Sequence, residues 1–219
     1  MNRAPIPHIF EIPSDSSVFF DALLEADHHS EHDIAQRNAL ETAIAESRIN
    51  PISGLPNKKA FDEELNKRIE ENRDLAVAVI DITHFKSVND TLGHQKGDLF
   101  LHGAGQVLDA SFLLGIKTRH HDYKAHLSGD EFAVIFDMSP RQDDTMSPIQ
   151  RVEAIRLNLI RLMAVYSESM LPDDLNVTAA IGISLLHPGQ SASDVFESAD
   201  TAMYAHKSSQ HELFGTVPR

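Results

Sequence analysis

The chain has 219 residues, 42% of them hydrophobic, and a formal net charge of −14. That length suits one domain of ordinary size plus an extension, with enough apolar content for a real core. The absence of cysteine excludes disulfides, thiolate metal sites and cysteine nucleophiles, and the acidity argues against a binder of nucleic-acid polymers, which carry basic faces. No apolar run approaches the length of a membrane span, and MNRAPIPHIFEIPSDSS lacks the continuous apolar core of a secretion signal. A soluble, cytoplasmic protein without membrane partners is the expectation.

Residues 1–26 read as irregular, and Ile34, Leu40, Ile44 and Ile49 then recur at loosely helical spacing, predicting a helix over 31–49. Asn50-Pro51 ends it, because proline disfavours helical geometry in the residue before it, and PISGLPN is a turn-rich connector. The pattern divides the chain into an extension with a linker or dimerisation helix over 1–49 and a main domain over 50–219. Within the domain, 57–68 reads as a helix and LAVAVI opens a doubly covered strand over 75–82. A short helix over 85–92 and a longer one over 97–113 follow. Residues 122–127 and 131–136 form a hairpin around Ser128-Gly129. A long amphipathic helix over 148–170, a strand over 177–185 and a final helix over 192–208 complete the domain.

The order β-α-α-β-β-α-β-α contains the split β-α-β unit of ferredoxin-like sheets. The fold class expected is α+β, a ferredoxin-like or palm-type central antiparallel sheet flanked by helices, with an N-terminal helical extension. A right-handed crossover leaves a gap between the first two strands that the third fills antiparallel. The C-terminal end of the first strand, at Asp81, therefore lies beside the start of the third, at Asp130.

Carboxylates clustered at strand ends are what a hard divalent cation needs. Mg²⁺ is usually held by one or two carboxylates plus substrate phosphates, and a metal pair about 3.5–4 Å apart can polarise a hydroxyl and stabilise a leaving oxygen. The plainer alternative is that Asp81 caps the next helix and Asp130 is a turn residue. The stretch DITHFKSVNDTLGHQKGD, from Asp81 to Asp98, adds Lys86, Asn89, Asp90 and Asp98, with Gly93 and Gly97 where backbone could approach a ligand. An aspartate can accept two hydrogen bonds from guanine, which discriminates against adenine.

The combination DITHFKSVNDTLGHQKGD, SGDEF and ADTAMYAHK, together with INPISGLPNKKAF and VTAAIGIS, resembles the GGDEF domain of diguanylate cyclases from about Ile49 to Lys207. The resemblance implies condensation of two GTP into cyclic di-GMP and two pyrophosphates, with Mg²⁺ or Mn²⁺, two per active site. It implies metal binding by Asp81, the Ile82 carbonyl, Asp130 and Glu131, with Asp130 also activating the 3′-hydroxyl and Glu131 supporting it. Asn89 and Asp98 would read guanine. Amides around His84 and Phe85 would cradle the β- and γ-phosphates, Lys207 would pair with them, and Lys86 would stabilise the transferring phosphoryl group. Each subunit holds one nucleotide, so a homodimer is implied.

RHHD, Arg119 to Asp122, sits where the family has its R-x-x-D product-inhibition site, implying cyclic di-GMP binding by Arg119 and Asp122. The sequence also departs from the family. Ser128 replaces the first glycine of the signature, ahead of Gly129, and a positive φ there or close contact with the ribose would make its side chain costly. His211 stands where the family has a phosphate-binding arginine, Asn50 replaces an aspartate, Lys58 an arginine and His126 a common arginine. Intact Asp81, Asp130, Asn89 and Asp98 favour an active cyclase. Ser128 and His211 favour a weak enzyme that senses cyclic di-GMP through Arg119 and Asp122. His28 and His32, at helical i, i+4 spacing among carboxylates, admit a Zn²⁺ site or a solvated acidic helix start.

Overall fold

A computed structural model describes residue 37, residues 42–43, 47–110, 121–140, 145–172, 174–175 and 177–214, the last four as backbone. The chain divides into a unit over Met1–Glu46, in which Arg37, Thr42 and Ala43 are helical, and a unit over Ser47–Arg219. His28, His32 and Arg119 lie outside the described residues, as does the side chain of His211.

The second unit begins with a turn rather than with the end of a helix. Residues 47–49, expected to end a helix, are not helical: Ile49 bridges Pro56, and Asn50 Oδ1 accepts from the amides of Ile52 and Ser53. The chain thus folds back before helix α1, Lys58–Glu70, whose N-cap Asn57 accepts from the Ala60 amide. Strand β1, Leu75–Thr83, is buried along its whole length, Asp81 included. Helices α2, Phe85–Leu92, and α3, His94–Asp109, follow, separated by Gly93. Helix α3 starts three residues ahead of the expected Gly97, which lies inside the helix and marks a close approach rather than a boundary.

The hairpin is β2, Tyr123–Ser128, and β3, Glu131–Asp137. Helix α4, Pro148–Met170, opens on a capping box between Ser147 and Gln150. Strand β4, Thr178–Leu185, precedes helix α5, Ala192–Phe214, which runs six residues beyond its expected end.

The four strands form one sheet in the order β2-β3-β1-β4, with all three pairings antiparallel. Strand β3 fills the gap between β1 and β2, as the split unit requires, and the architecture is α+β. Side chains alternate across the pleat. Ala76, Ala78, Ile80 and Ile82 pack with α2, α3 and α4 through Phe85, Phe100, Leu101, Ile155 and Leu159. Val77 and Val79 pack with α1 and α5 through Phe61, Leu65, Val195, Ala199 and Met203. Asp81 continues the second set, which turns its carboxylate toward α5. Gly182 on β4 lets α5 come close, since a Cβ there would lie 2.1 Å from both the Ala199 carbonyl oxygen and the Met203 nitrogen.

Candidate active site

The central strands end in a cluster of charge. Asp81 pairs directly with Glu131 across β1 and β3, and the Ile82 amide donates to the Asp130 carbonyl at 3.1 Å. Carboxylates adjacent in space, though distant in sequence, thus share one sheet end. The Lys207 Nζ, on α5, donates to Asp81 Oδ2 at 2.7 Å. Asp81 Oδ1 is buried and has no hydrogen-bond partner.

Electrostatics follow this crowding. Burial, then the charge of Asp81, pushes the Asp130 carboxyl above its ordinary range, with its own amide and Lys207 pulling weakly the other way. Burial and Asp81 likewise raise Glu131, with further repulsion from Asp130 and Asp200 and partial relief from the Ser128 hydroxyl. Burial opposes the charge on Lys207, but the hydrogen bond and charge of Asp81, together with Asp130, outweigh it and hold the ammonium above its usual value. Repelled carboxylates around an orphaned buried oxygen match the oxygen-donor chemistry of a hard divalent cation that draws its other ligands from substrate. Among the described residues no three His, Asp or Glu side chains form a ready metal cage. A cation that keeps waters and phosphate oxygens does not require one.

His84, between β1 and α2, adopts a left-handed conformation at φ 63°, ψ 16°, uncommon for a residue with a side chain and concentrated at functional turns. Phe85 is buried against Phe100, and Lys86 is exposed. Asn89 is half-buried and lies against Gly97, where a Cβ would come within 1.9 Å of Asn89 Oδ1. Asp98, one residue on, is raised by burial and slightly lowered by His94. Asp122 is buried, and its Oδ1 accepts from the Asp137 amide at 2.9 Å, so part of its carboxylate holds the hairpin together.

The hairpin corrects one expectation. Its turn is Gly129-Asp130, not Ser128-Gly129. His126 pairs with Phe132 while Ser128 pairs with Glu131, so one extra residue bulges at Leu127 and shifts the turn by one. The left-handed φ of 51° falls on Gly129, and Ser128 has none. Ser128 is exposed, and its Oγ donates to Glu131 Oε2 at 3.4 Å. The positive φ that would have strained a serine here is absent.

The family described as "Diguanylate cyclase, GGDEF domain" matches residues 47–212. The chain belongs to the GGDEF family. It is 32% identical over 194 residues to Diguanylate cyclase DgcP of Pseudomonas aeruginosa, covering 85% of this chain and 26% of that protein. It is 30% identical over 168 residues to the Cyclic di-GMP phosphodiesterase NbdA of the same organism, covering 74% of this chain and 19% of that one. The chain thus spans about a quarter or less of these relatives' length. The solved coiled coil and GGDEF domain of DgcB from Caulobacter crescentus, in complex with c-di-GMP, is similar at TM-score 0.58 and 27% identity, covering 90% of this chain and 95% of that one. Among the described residues no helix is long and apolar enough to cross a membrane.

As a GGDEF variant, this protein carries its Ser128 at little conformational cost. Ser128→Gly is expected to move the melting temperature by no more than about 2 °C, as for surface substitutions in a domain of this size. A larger rise on thermal unfolding would restore the strain explanation. Asn50, where the resemblance implies an aspartate, organises the turn, because its Oδ1 accepts two amides. Two features of the site have no signature in the sequence. The Lys207–Asp81 pair joins residues 126 positions apart, with no local signal. Asp200, whose charge reaches Glu131, lies in the ADTAMYAHK stretch, where nothing in the pattern marks it as part of the site. It lines a depression of about 340 Å³ with Ser128, Glu131 and Lys58.

Proposed function

We propose that this protein is a diguanylate cyclase, condensing two GTP into cyclic di-GMP and two pyrophosphates. One observation carries the reading: Asp81, Asp130 and Glu131 converge beside Lys207 at the end of the central strands, with Asp81 Oδ1 buried and unpartnered. Such a cluster gains from a cation and from the triphosphate that brings one. Mg²⁺ or Mn²⁺, two per site, would be held by Asp81, the Ile82 carbonyl, Asp130 and Glu131, and would neutralise charge on the reacting phosphates.

The chain's own groups do the rest. Asn89 and Asp98 would read guanine, with Ser128 and Gly129 beside the ribose. The amides at His84 and Phe85, with Lys86, Lys207 and His211, would receive the phosphates. The Asp130 carboxyl, made more basic by burial and by Asp81, would take the proton of the 3′-hydroxyl. The bond from the 3′-oxygen to the α-phosphorus of the second GTP forms as the bond to pyrophosphate breaks. Because each domain holds one nucleotide, two copies must face each other, and cyclic di-GMP at Arg119 and Asp122 would inhibit the pair.

Gly97 gives the guanine assignment a sharp test. Gly97→Ala is expected to weaken binding of a non-hydrolysable GTP analogue about tenfold by pushing the Asn89 amide aside. The fold should survive, because Asn89 is half-exposed and can swing away, and the Phe85 ring, whose Cζ would lie 3.1 Å from the new Cβ, has to give only slightly. Calorimetry showing unchanged affinity would remove Asn89 from the site.

For the activity itself, nucleotide-stripped protein is incubated with GTP and Mg²⁺ and the products resolved by chromatography. Cyclic di-GMP and pyrophosphate are expected. No product above an Asp130→Ala control, with cyclic di-GMP still bound, would favour the sensor reading instead.

A further inference from the structure

His126 stands out as a wholly buried imidazole outside the groups assigned above. Its relative exposure is 0%, and its ring stacks on Phe132 with centroids 4.2 Å apart and planes 17° apart. Its Nε2 lies 2.8 Å from the Gly129 carbonyl oxygen. A carbonyl only accepts, so Nε2 carries the proton, and Nδ1 is then a bare acceptor, buried with no partner. Burial keeps the imidazole below its ordinary pKa, in its neutral form.

An orphaned ring nitrogen is a poor choice for packing alone. A phenylalanine here would stack on Phe132 equally well and bury no unpaired polar atom. What the imidazole adds is a grip on one carbonyl, and that carbonyl belongs to the peptide unit whose nitrogen is Asp130's. The next peptide is held as well, since the Asp130 carbonyl accepts from the Ile82 amide at 3.1 Å. Peptide planes are rigid, so fixing the one before Asp130 and the one after it fixes both backbone dihedrals of that residue. The residue that carries the ring is itself anchored through its main chain. Its backbone amide donates to the Pro56 carbonyl at 2.9 Å, and its carbonyl accepts from Asn50 Nδ2 at 3.4 Å.

We propose that His126 is a positioning residue for the reaction, whose Nε2–H holds the Gly129 carbonyl so that the Asp130 carboxylate is aimed from a clamped backbone. This rests on the cyclase reading for its catalytic consequence, though not for its structural one. The bulge at Leu127 lets the ring reach three residues ahead, and the anchors at Pro56 and Asn50 tie the clamp to the turn that begins the domain.

Two variants and two readouts test it. His126→Phe keeps the ring stack and loses the donor; His126→Gln returns an amide donor near the Nε2 position. The full chain bearing His126→Phe should melt within about 2 °C of the parent, with kcat down by about tenfold or more and KM for GTP little changed, as for a misaimed catalytic group. Exchange of the Asp130 and Glu131 amides with solvent deuterium should quicken about tenfold in the same variant. His126→Gln should recover most of both. Unchanged kcat and exchange in His126→Phe would overturn the proposal, as would a loss that tracks a fall in melting temperature and is not recovered by His126→Gln. If the parent makes no cyclic di-GMP, the cyclase reading fails alone, and the exchange measurement still decides whether His126 clamps the turn.

Discussion

Asp130→Asn is expected to reduce cyclic di-GMP formation by at least about 1,000-fold while raising the melting temperature of the metal-free protein by about 2–4 °C. The two effects share one cause. Asp130 is half-buried beside Asp81, and burial and that neighbouring charge lift its carboxyl above the ordinary range. A carboxyl whose folded pKa is raised binds more protons in the native state than in the unfolded chain. Its stability is therefore greatest below the unfolded pKa and falls as pH rises through the folded value. At neutral pH the metal-free protein carries the full repulsion of Asp130, Asp81 and Glu131. Asparagine keeps the shape and removes one charge. Thermal unfolding in a chelator at pH 4.5 and 7.5 should show the parent losing more stability between these two pH values than Asp130→Asn. Addition of Mg²⁺ at pH 7.5 should stabilise the parent more than the variant. A variant that melts lower than the parent in chelator, or that retains turnover, would contradict the assignment of Asp130 as a carboxylate held against its neighbours for chemistry.

The divide between what could be read from the sequence and what could not follows the range of the interactions. LAVAVI announces a strand covered on both faces, and the alternation of helices and strands around it forces β3 between β1 and β2. The meeting of β1's end with the start of β3 followed from topology alone. The turn position did not. Ser128-Gly129 reads as a two-residue loop, but whether a strand bulges depends on its partner's register, and Leu127 carries no mark of it. Gly97 reads in the sequence as a helix start and as a point where backbone could approach a ligand, whereas in the fold its lack of a side chain makes room for Asn89 one helix away. His126 was visible only as a departure from a common arginine. Its grip on Gly129 required the bulge that the sequence hides. Ser128, the most conspicuous departure from the family signature, brings no positive φ and bonds instead to Glu131.

Lys207→Met should have effects of opposite sign on metal and on nucleotide. The Lys207 ammonium sits 2.7 Å from Asp81 Oδ2, and the Asp81 side chain is 7% exposed against 37% for Lys207. Removing the cation leaves a buried carboxylate facing Asp130 and Glu131 with no counter-charge. Breaking a buried pair from one side costs several kcal/mol, and breaking an exposed one costs little. For a lysine that water reaches over a third of its side chain, about 1–3 kcal/mol is expected, or a fall of roughly 3–10 °C in the metal-free melting temperature. The same ammonium competes with any metal for Asp81. Calorimetric titration with Mg²⁺ alone should therefore show tighter binding in Lys207→Met than in the parent, and Mg²⁺ should recover most of the lost stability. With GTP present the sign reverses, because the released ammonium is what the β- and γ-phosphates would meet, and its loss should lower kcat/KM by about 100-fold. Weaker Mg²⁺ binding in the variant would mean that Lys207 orders Asp81 for metal rather than standing in for it. An unchanged melting temperature would mean that Asp81 does not depend on Lys207 for its charge.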